Sequence, residues 1–239
     1  WKNRNTKENS RTNISAHYDL GNDLYERFLD KEMLYSSAIY ENDTDTLESA
    51  QFEKMDRLCS ELRLQPSDHL VEIGTGWGGM AIHAAKHYGC KVTTTTISNE
   101  QYEWAKSRVE QEGLSGQITL LKEDYRDLEG QFDKLVSIEM IEAVGKTYLT
   151  TYIKKCQSLL KPNGLMAIQS ITIADQRYDY YSSNVDFIQK HIFPGGFLPS
   201  VNVLLEHFTR ESDLVARDLK DIGLDYARTL KDWHERFND

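Results

Sequence analysis

The sequence predicts an α/β fold: a mostly parallel β-sheet with helices on both faces, a helical cover at the N-terminal end and an insertion after the fifth strand. Three observations carry this. Short apolar runs alternate with helical runs between about residues 68 and 173. A glycine-rich turn, "VEIGTGWGG" (71–79), separates the first such strand from the first such helix. The 239 residues, 39% of them hydrophobic, suffice for one large domain with its own core.

In chain order, "HLVEIG" is a short apolar run stopped by glycines, and "MAIHAAKHY" has helical spacing. "CKVTTTTIS" is rich in β-branched residues, and "NEQYEWAKSRVEQEG" starts with Asn99 as a cap and stops at Gly113. "QITLL", "FDKLVSI", the helix "TYLTTYIKKCQSLL" and the strand "GLMAIQSITI" continue the alternation. Lys161-Pro162-Asn163-Gly164 is expected to be the turn between that helix and that strand. Residues 14–63 read as helical and aromatic-rich. Residues 175–203 break the pattern with the Gly/Pro-rich loop "IFPGGFLPS" (192–200). The expected division is a cover over 1–63 and a Rossmann-like core over 64–239.

The net charge of −10 argues against general nucleic-acid binding. Lys2, Arg4, Lys7 and Arg11 outnumber Glu8 locally; a solvated tail is favoured there over contact with an anionic surface. Three widely spaced cysteines, Cys59, Cys90 and Cys156, read as reduced thiols of a cytoplasmic protein. His69, His83 and His87 lack metal-ligand spacing, so no metal is expected. No run approaches the roughly 20 apolar residues of a membrane-spanning helix, and the polar first residues do not read as a signal peptide. The chain begins with Trp1 rather than Met, which suggests a piece of a longer protein.

Gly74, Gly76 and Gly79 satisfy G-x-G-x-x-G after a strand and before a helix, the setting a nucleotide-bearing cofactor requires. Nicotinamide dinucleotides and S-adenosylmethionine both use such loops. Glu72, two residues before the first glycine, opposes a pyrophosphate and attracts a cation. The second strand lacks the terminal acid that usually holds a dinucleotide ribose, and offers Thr96, Ser98 and Gln101 instead. S-adenosylmethionine fits better. A second stretch, "LVSIEMIEAVG" (135–145), sets Glu139 and Glu142 where a buried strand ends. The residues alone leave two readings: solvated acids opening the next segment, or groups facing something electron-poor. For Glu142 the bland reading is a helix-N-terminal acid, worth about 0.3–1 kcal/mol.

Long segments of the chain, "AHYDLGNDLYERFLD", "MLYSSAIY", "LESAQ", "VEIGTGWGG", "TTISNEQ", "DYRDL", "FDKLVSIEMIEAVG", "IFPGGFLPS" and "DYARTLKDWHERF", resemble the cyclopropane fatty acid synthase family, which includes the mycolic acid cyclopropane synthases. The resemblance runs from roughly Ile14 to Phe237. It implies a class I methyltransferase sheet and transfer of the S-adenosylmethionine methyl carbon onto a double bond of an unsaturated phospholipid acyl chain. It further implies peripheral contact with the inner face of the membrane, through apolar and basic surface near the N-terminal helices, and a lipid site near the 175–203 insertion. On the cofactor side, it implies roles for Tyr35 and Ser36 over the methionine end and for Glu72, Gly74 and Gly76 beneath it. Thr96, Ile97 and Gln101 would meet ribose and adenine, Tyr125 and Arg126 would flank the adenine, and Ser137 closes the fourth strand.

The same resemblance implies a bound bicarbonate as base, held in part by Glu142 and Tyr226. The family's Cys is Ser37 here, its His on the fifth strand is Gln169, and the residue after Glu142 is Ala143 rather than His. Ser37 and Gln169 still donate hydrogen bonds, so the bicarbonate pocket can survive in altered form. Glu142 itself is the alternative base if burial raises its pKa, and a cyclopropane remains the expected product. The alternatives are a methyl-branched or methylene product, or an inert lipid-binding module. His17 and Tyr18 fall in a segment expected to close over the cofactor; a structural His17 is the other reading. The oligomeric state is not legible in the sequence.

Overall fold

The computed structural model describes residues 5–7, 9, 10 and 21–238, with only the backbone of residue 191. Its sheet has five strands in the order β3-β2-β1-β4-β5, all parallel: β1 (His69–Ile73), β2 (Lys91–Thr95), β3 (Ile118–Leu121), β4 (Phe132–Ile138) and β5 (Leu160–Gln169). The cover holds α1 (Asn22–Phe28) and α2 (Leu47–Glu61). Helices α3 (Gly79–Tyr88), α4 (Asn99–Gln111) and α5 (Leu149–Leu159) link the strands. After β5 come α6 (Asp175–Ser183), α7 (Phe187–His191), α8 (Val201–Glu211) and α9 (Gly223–Asn238).

Period-two alternation in β1 decides the layering. Leu70 joins Met55, Leu58, Met80, Ile82 and Val92 on one face. Val71 and Ile73 join Leu135, Leu149, Tyr152, Ile153 and Cys156 on the other. Both faces of β1 are covered, as a central parallel strand requires. All three cysteines are free and buried.

Four expectations need correction. Residues 29–46 are not helical: the Asp30 carboxylate accepts from the N–H groups of Glu32 (3.0 Å) and Leu34 (2.9 Å), holding a turn in which Met33 has φ 58°. The cap of α4 is Ser98, whose hydroxyl accepts from the Gln101 N–H at 3.2 Å. Leu160 already pairs with Phe132, and pairing resumes with Leu165 opposite Lys134. Residues 161–164 therefore bulge from β5 instead of preceding it, with Asn163 at φ 66°. Of the N-terminal segment, Asn5 and Ser10 are buried and so are not part of a solvated tail, whereas Lys7 is exposed; Lys2, Arg4 and Arg11 lie outside the described residues.

The last helix folds back onto the cover. The Thr229 hydroxyl accepts from the Ala38 N–H at 3.0 Å, and Arg236 contacts both Glu48 carboxylate oxygens at 2.6 and 2.7 Å. Beneath these bonds Trp233 packs with Tyr25, Leu29, Ala38 and Trp77. The cover is thereby fixed over the carboxyl ends of the strands, where open α/β sheets carry their sites.

Candidate active site

A cavity of about 690 Å³ opens at the carboxyl edge of β1, β2 and β4, roofed by the cover, α9 and the loop after α7. Its floor is the glycine loop. Gly76 has φ 53°, and a Cβ there would meet nothing within 4 Å, so its backbone faces open space. Gly79 instead needs its missing side chain for packing: a Cβ would press on the Glu32 carbonyl oxygen and Leu34 Cδ2 at 3.0 Å. The loop therefore offers bare backbone to a ligand on one side and docks under the cover on the other.

Tyr35, Ser36, Glu72, Gly74, Gly76, Thr96, Ile97, Gln101, Tyr125, Arg126, Glu142 and Tyr226 all line this one cavity. Glu72 is buried and accepts from the Thr94 hydroxyl at 2.6 Å; burial pushes its carboxyl up to about 8. The Thr96 hydroxyl donates to Gln101 Oε1 at 2.9 Å, which fixes both beside β2. Arg126 does not hold its guanidinium free toward the space. It contacts Asp124 at 2.6 and 2.7 Å and donates to the Asn5 carbonyl oxygen at 3.0 Å and Ser10 Oγ at 3.2 Å. Asn5 in turn donates to the carbonyl oxygens of Ala143 and Gly195, both at 2.9 Å, closing one side of the cavity.

Ser137 is not brought to the cavity: its hydroxyl is buried and donates to the Ile73 carbonyl oxygen at 3.1 Å. Ser37 and Gln169 lie just behind the lining and are both engaged by Glu139. Glu139 Oε1 accepts from the Ser37 N–H at 2.8 Å and from Gln169 Nε2 at 2.9 Å; the same Nε2 donates to the Ser37 carbonyl oxygen at 3.0 Å. The Ser37 hydroxyl is spent on its neighbour, donating to the Ala38 carbonyl oxygen at 3.0 Å. His17 and Tyr18 lie outside the described residues.

Glu142 also lines the cavity. One carboxylate oxygen accepts from the Ile171 N–H. The other is buried and has no hydrogen-bond partner among the described residues. Burial first, and the charge of Glu139 second, push the Glu142 carboxyl up to about 8. Glu139 is raised by burial too, against the pull of Gln169, Ser37 and Lys54. Tyr35 and Tyr226 bring aromatic faces to the same space around Trp233, with ring centroids 5.4 and 6.5 Å from it.

The bicarbonate implied by the resemblance does not fit this donor set. The backbone N–H of Ser37 and the amide of Gln169 already serve the Glu139 carboxylate, and Glu142 adds a second acid. Another anion would face the Glu139 carboxylate without those donors.

The model of the mycolic acid cyclopropane synthetase family matches residues 5–239. The chain belongs to that family. It is 44% identical over 222 residues to the cyclopropane-fatty-acyl-phospholipid synthase of Escherichia coli, covering 92% of this chain and 55% of that protein. It is 39% identical over 242 residues to the tuberculostearic acid methyltransferase UfaA1 of Mycobacterium tuberculosis, covering 97% and 56%. The chain thus spans about half the length of these curated relatives. Among solved structures, the mycolic acid cyclopropane synthase CmaA1 complexed with SAH and CTAB superposes with a TM-score of 0.88 at 28% identity, covering 95% of this chain and 82% of that one. The sheet is that of the class I methyltransferases in this family.

Sequence reasoning left Glu139 undecided between a cofactor contact and a solvated acid, and did not single out Lys54, Asn5 or Ser10. Glu139 is held at φ 45°, a left-handed conformation costing a non-glycine residue on the order of 1–2 kcal/mol. Such strain persists where surrounding contacts over-determine it. Lys54 sits among charged residues on α2, so nothing in the surrounding sequence signals its burial.

Proposed function

We propose that the chain is an S-adenosylmethionine-dependent transferase that adds a one-carbon unit to the double bond of unsaturated phospholipid acyl chains, giving a cyclopropane. The observation that carries this is the single cavity running from the bare glycine backbone at Gly76 to the half-buried acids Glu139 and Glu142. Bound there, S-adenosylmethionine supplies an electrophilic methyl group. Tyr35 and Ser36 would lie over its methionine end, with Glu72, Gly74 and Gly76 beneath. Thr96, Ile97 and Gln101 would meet the ribose and adenine, and Tyr125 would flank the adenine.

An alkene that attacks a methyl group leaves positive charge on its neighbouring carbon. The aromatic faces of Tyr35, Tyr226 and Trp233 favour that charge in a water-poor space. A carboxylate beside it then accepts the proton whose loss ends the reaction. Orientation of the alkene against the methyl group is the larger contribution.

Lipid enters past the insertion in this reading. Ile188, Phe193, Phe197 and Leu198 line the cavity, while Val185 and Phe187 are exposed outside it. Those apolar side chains suit peripheral contact with a membrane surface, on the cytoplasmic side. No helix among the described residues is long and apolar enough to cross a membrane. A second product, methyl-branched or methylene, is favoured by one observation: the positions of the family's Cys and His are tied to Glu139.

The test uses S-adenosylmethionine radiolabelled on its methyl group with vesicles of unsaturated or fully saturated phosphatidylethanolamine. Label is expected in the acyl fraction of the unsaturated vesicles alone. Equal labelling of both, or label only in the head group, contradicts the reading.

A further inference from the structure

Glu139 stands where an anion should. Its Oε1 is held by a backbone N–H from the cover and a side-chain amide from the end of β5. Its own N–H donates to the Gln169 carbonyl oxygen at 2.8 Å. Three separate bonds thus lock one residue at φ 45° so that a carboxylate projects into the cavity from the end of β4. Lys54, buried and donating to Ser36 Oγ at 2.6 Å, supplies the positive field that favours the ionised form of Glu139. No protein group hydrogen-bonds the second oxygen, Oε2, among the described residues, and Glu139 is part of the cavity wall.

We propose that Glu139 is the resident anion of this site and the group that takes the reaction's proton, so that turnover needs no bicarbonate. The proposal rests on the transferase reading above. In the closing step a C–H bond of the transferred carbon breaks. Its electron pair closes onto the cationic chain carbon as the third ring bond, and the proton passes to Glu139 Oε2. No redox partner is needed. Glu142, with one oxygen held by the Ile171 N–H and the other unpartnered, is the neighbouring acid in the same cavity wall.

Two measurements test this. In carbonate-free buffer under argon, wild-type turnover on unsaturated vesicles is expected to be unchanged by adding millimolar bicarbonate. Glu139→Gln, which keeps the shape and cannot take the proton, is expected to lose about 10²- to 10⁴-fold. Glu139→Gly suits the local backbone, so it is expected to fold, to lose a similar factor, and to regain turnover when bicarbonate is added. Bicarbonate-dependent turnover of the wild type, or wild-type turnover by Glu139→Gln, overturns the proposal.

The second measurement does not depend on activity. With S-adenosylhomocysteine present, 13C-bicarbonate line broadening is expected to saturate with Glu139→Gly and not with the wild type. Saturable binding by the wild type, or none by Glu139→Gly, overturns the proposal. If the wild type transfers no carbon to any lipid, the transferase reading fails while this binding comparison still decides whether Glu139 fills the anion's place.

Discussion

Lys54 donates a 2.6 Å hydrogen bond to the Ser36 hydroxyl while its side chain is wholly buried. Burial pushes its ammonium down to about 8, against the pull of Glu139 and Asp30, which favour the charged form. The cation therefore holds the serine loop over the cavity by a hydrogen bond and acts on the acid at the end of β4 through its charge. Replacing it by Met removes that charge and the bond to Ser36, at a cost of about 1–3 kcal/mol. Pairing Lys54→Met with Glu139→Gln is expected to recover at least about 1 kcal/mol of that cost in urea unfolding at neutral pH. Strictly additive losses would show that the two charges do not act on each other.

Glu72 gives the protein a pH dependence of definite sign. Its carboxyl is raised by burial from 4.5 to about 8 in the folded state. The folded state then holds a proton that the unfolded state has lost, and stability falls as pH rises from about 4.5 through about 8. Glu142 slopes the same way. Glu72→Gln is expected to melt higher than the wild type at about pH 9, with the difference vanishing near pH 4. The same variant is expected to bind S-adenosylmethionine more weakly. A melting difference independent of pH would contradict the buried, proton-holding acid.

The sheet was legible because its causes are local. Apolar runs such as Leu70–Ile73, the Gly74–Gly79 turn and the helical spacing of residues 149–159 each state their own structure. The cavity floor was legible for the same reason, since the glycine loop and the end of β2 are each continuous in sequence. The reactive half was legible only in part: the resemblance named Glu142 and Tyr226, which line the cavity, and Ser37 and Gln169, which lie behind it. Ser37, Lys54, Glu139 and Gln169 lie on four segments, and only the fold turns a serine, an amide and two charges into one network. Residues 29–46 misled because Asp30 spends its carboxylate on the backbone N–H groups of Glu32 and Leu34, which its residue type alone does not reveal.

Thr229 joins the last helix to the cover. Its buried hydroxyl accepts from the Ala38 N–H and donates to the Asp225 carbonyl oxygen at 2.8 Å. Thr229→Val keeps the volume and leaves the Ala38 N–H without an acceptor, at a cost of about 1–3 kcal/mol. Thr229→Ser is expected to cost less than Thr229→Val in the same denaturation series. Equal losses would assign the effect to the methyl group's packing.

Arg126 holds the N-terminal residues against the cavity through the Asn5 carbonyl oxygen and Ser10 Oγ. Arg126→Ala is expected to speed amide exchange across residues 5–10 and to weaken S-adenosylhomocysteine binding about tenfold, or ~1.4 kcal/mol. Arg126→Lys is expected to behave almost as poorly, because an ammonium cannot reproduce the forked contact with Asp124. Unchanged exchange at residues 5–10 would remove the clamp from the account.

The most direct measurement is the mass of the product formed with S-adenosylmethionine fully deuterated on its methyl group, after incubation with unsaturated phospholipid and release of the acyl chains. The account predicts a chain carrying a new ring whose added carbon keeps two deuterium atoms, the third having left as the proton taken within the site. Acyl chains without any label, from protein shown to bind the cofactor, would contradict it.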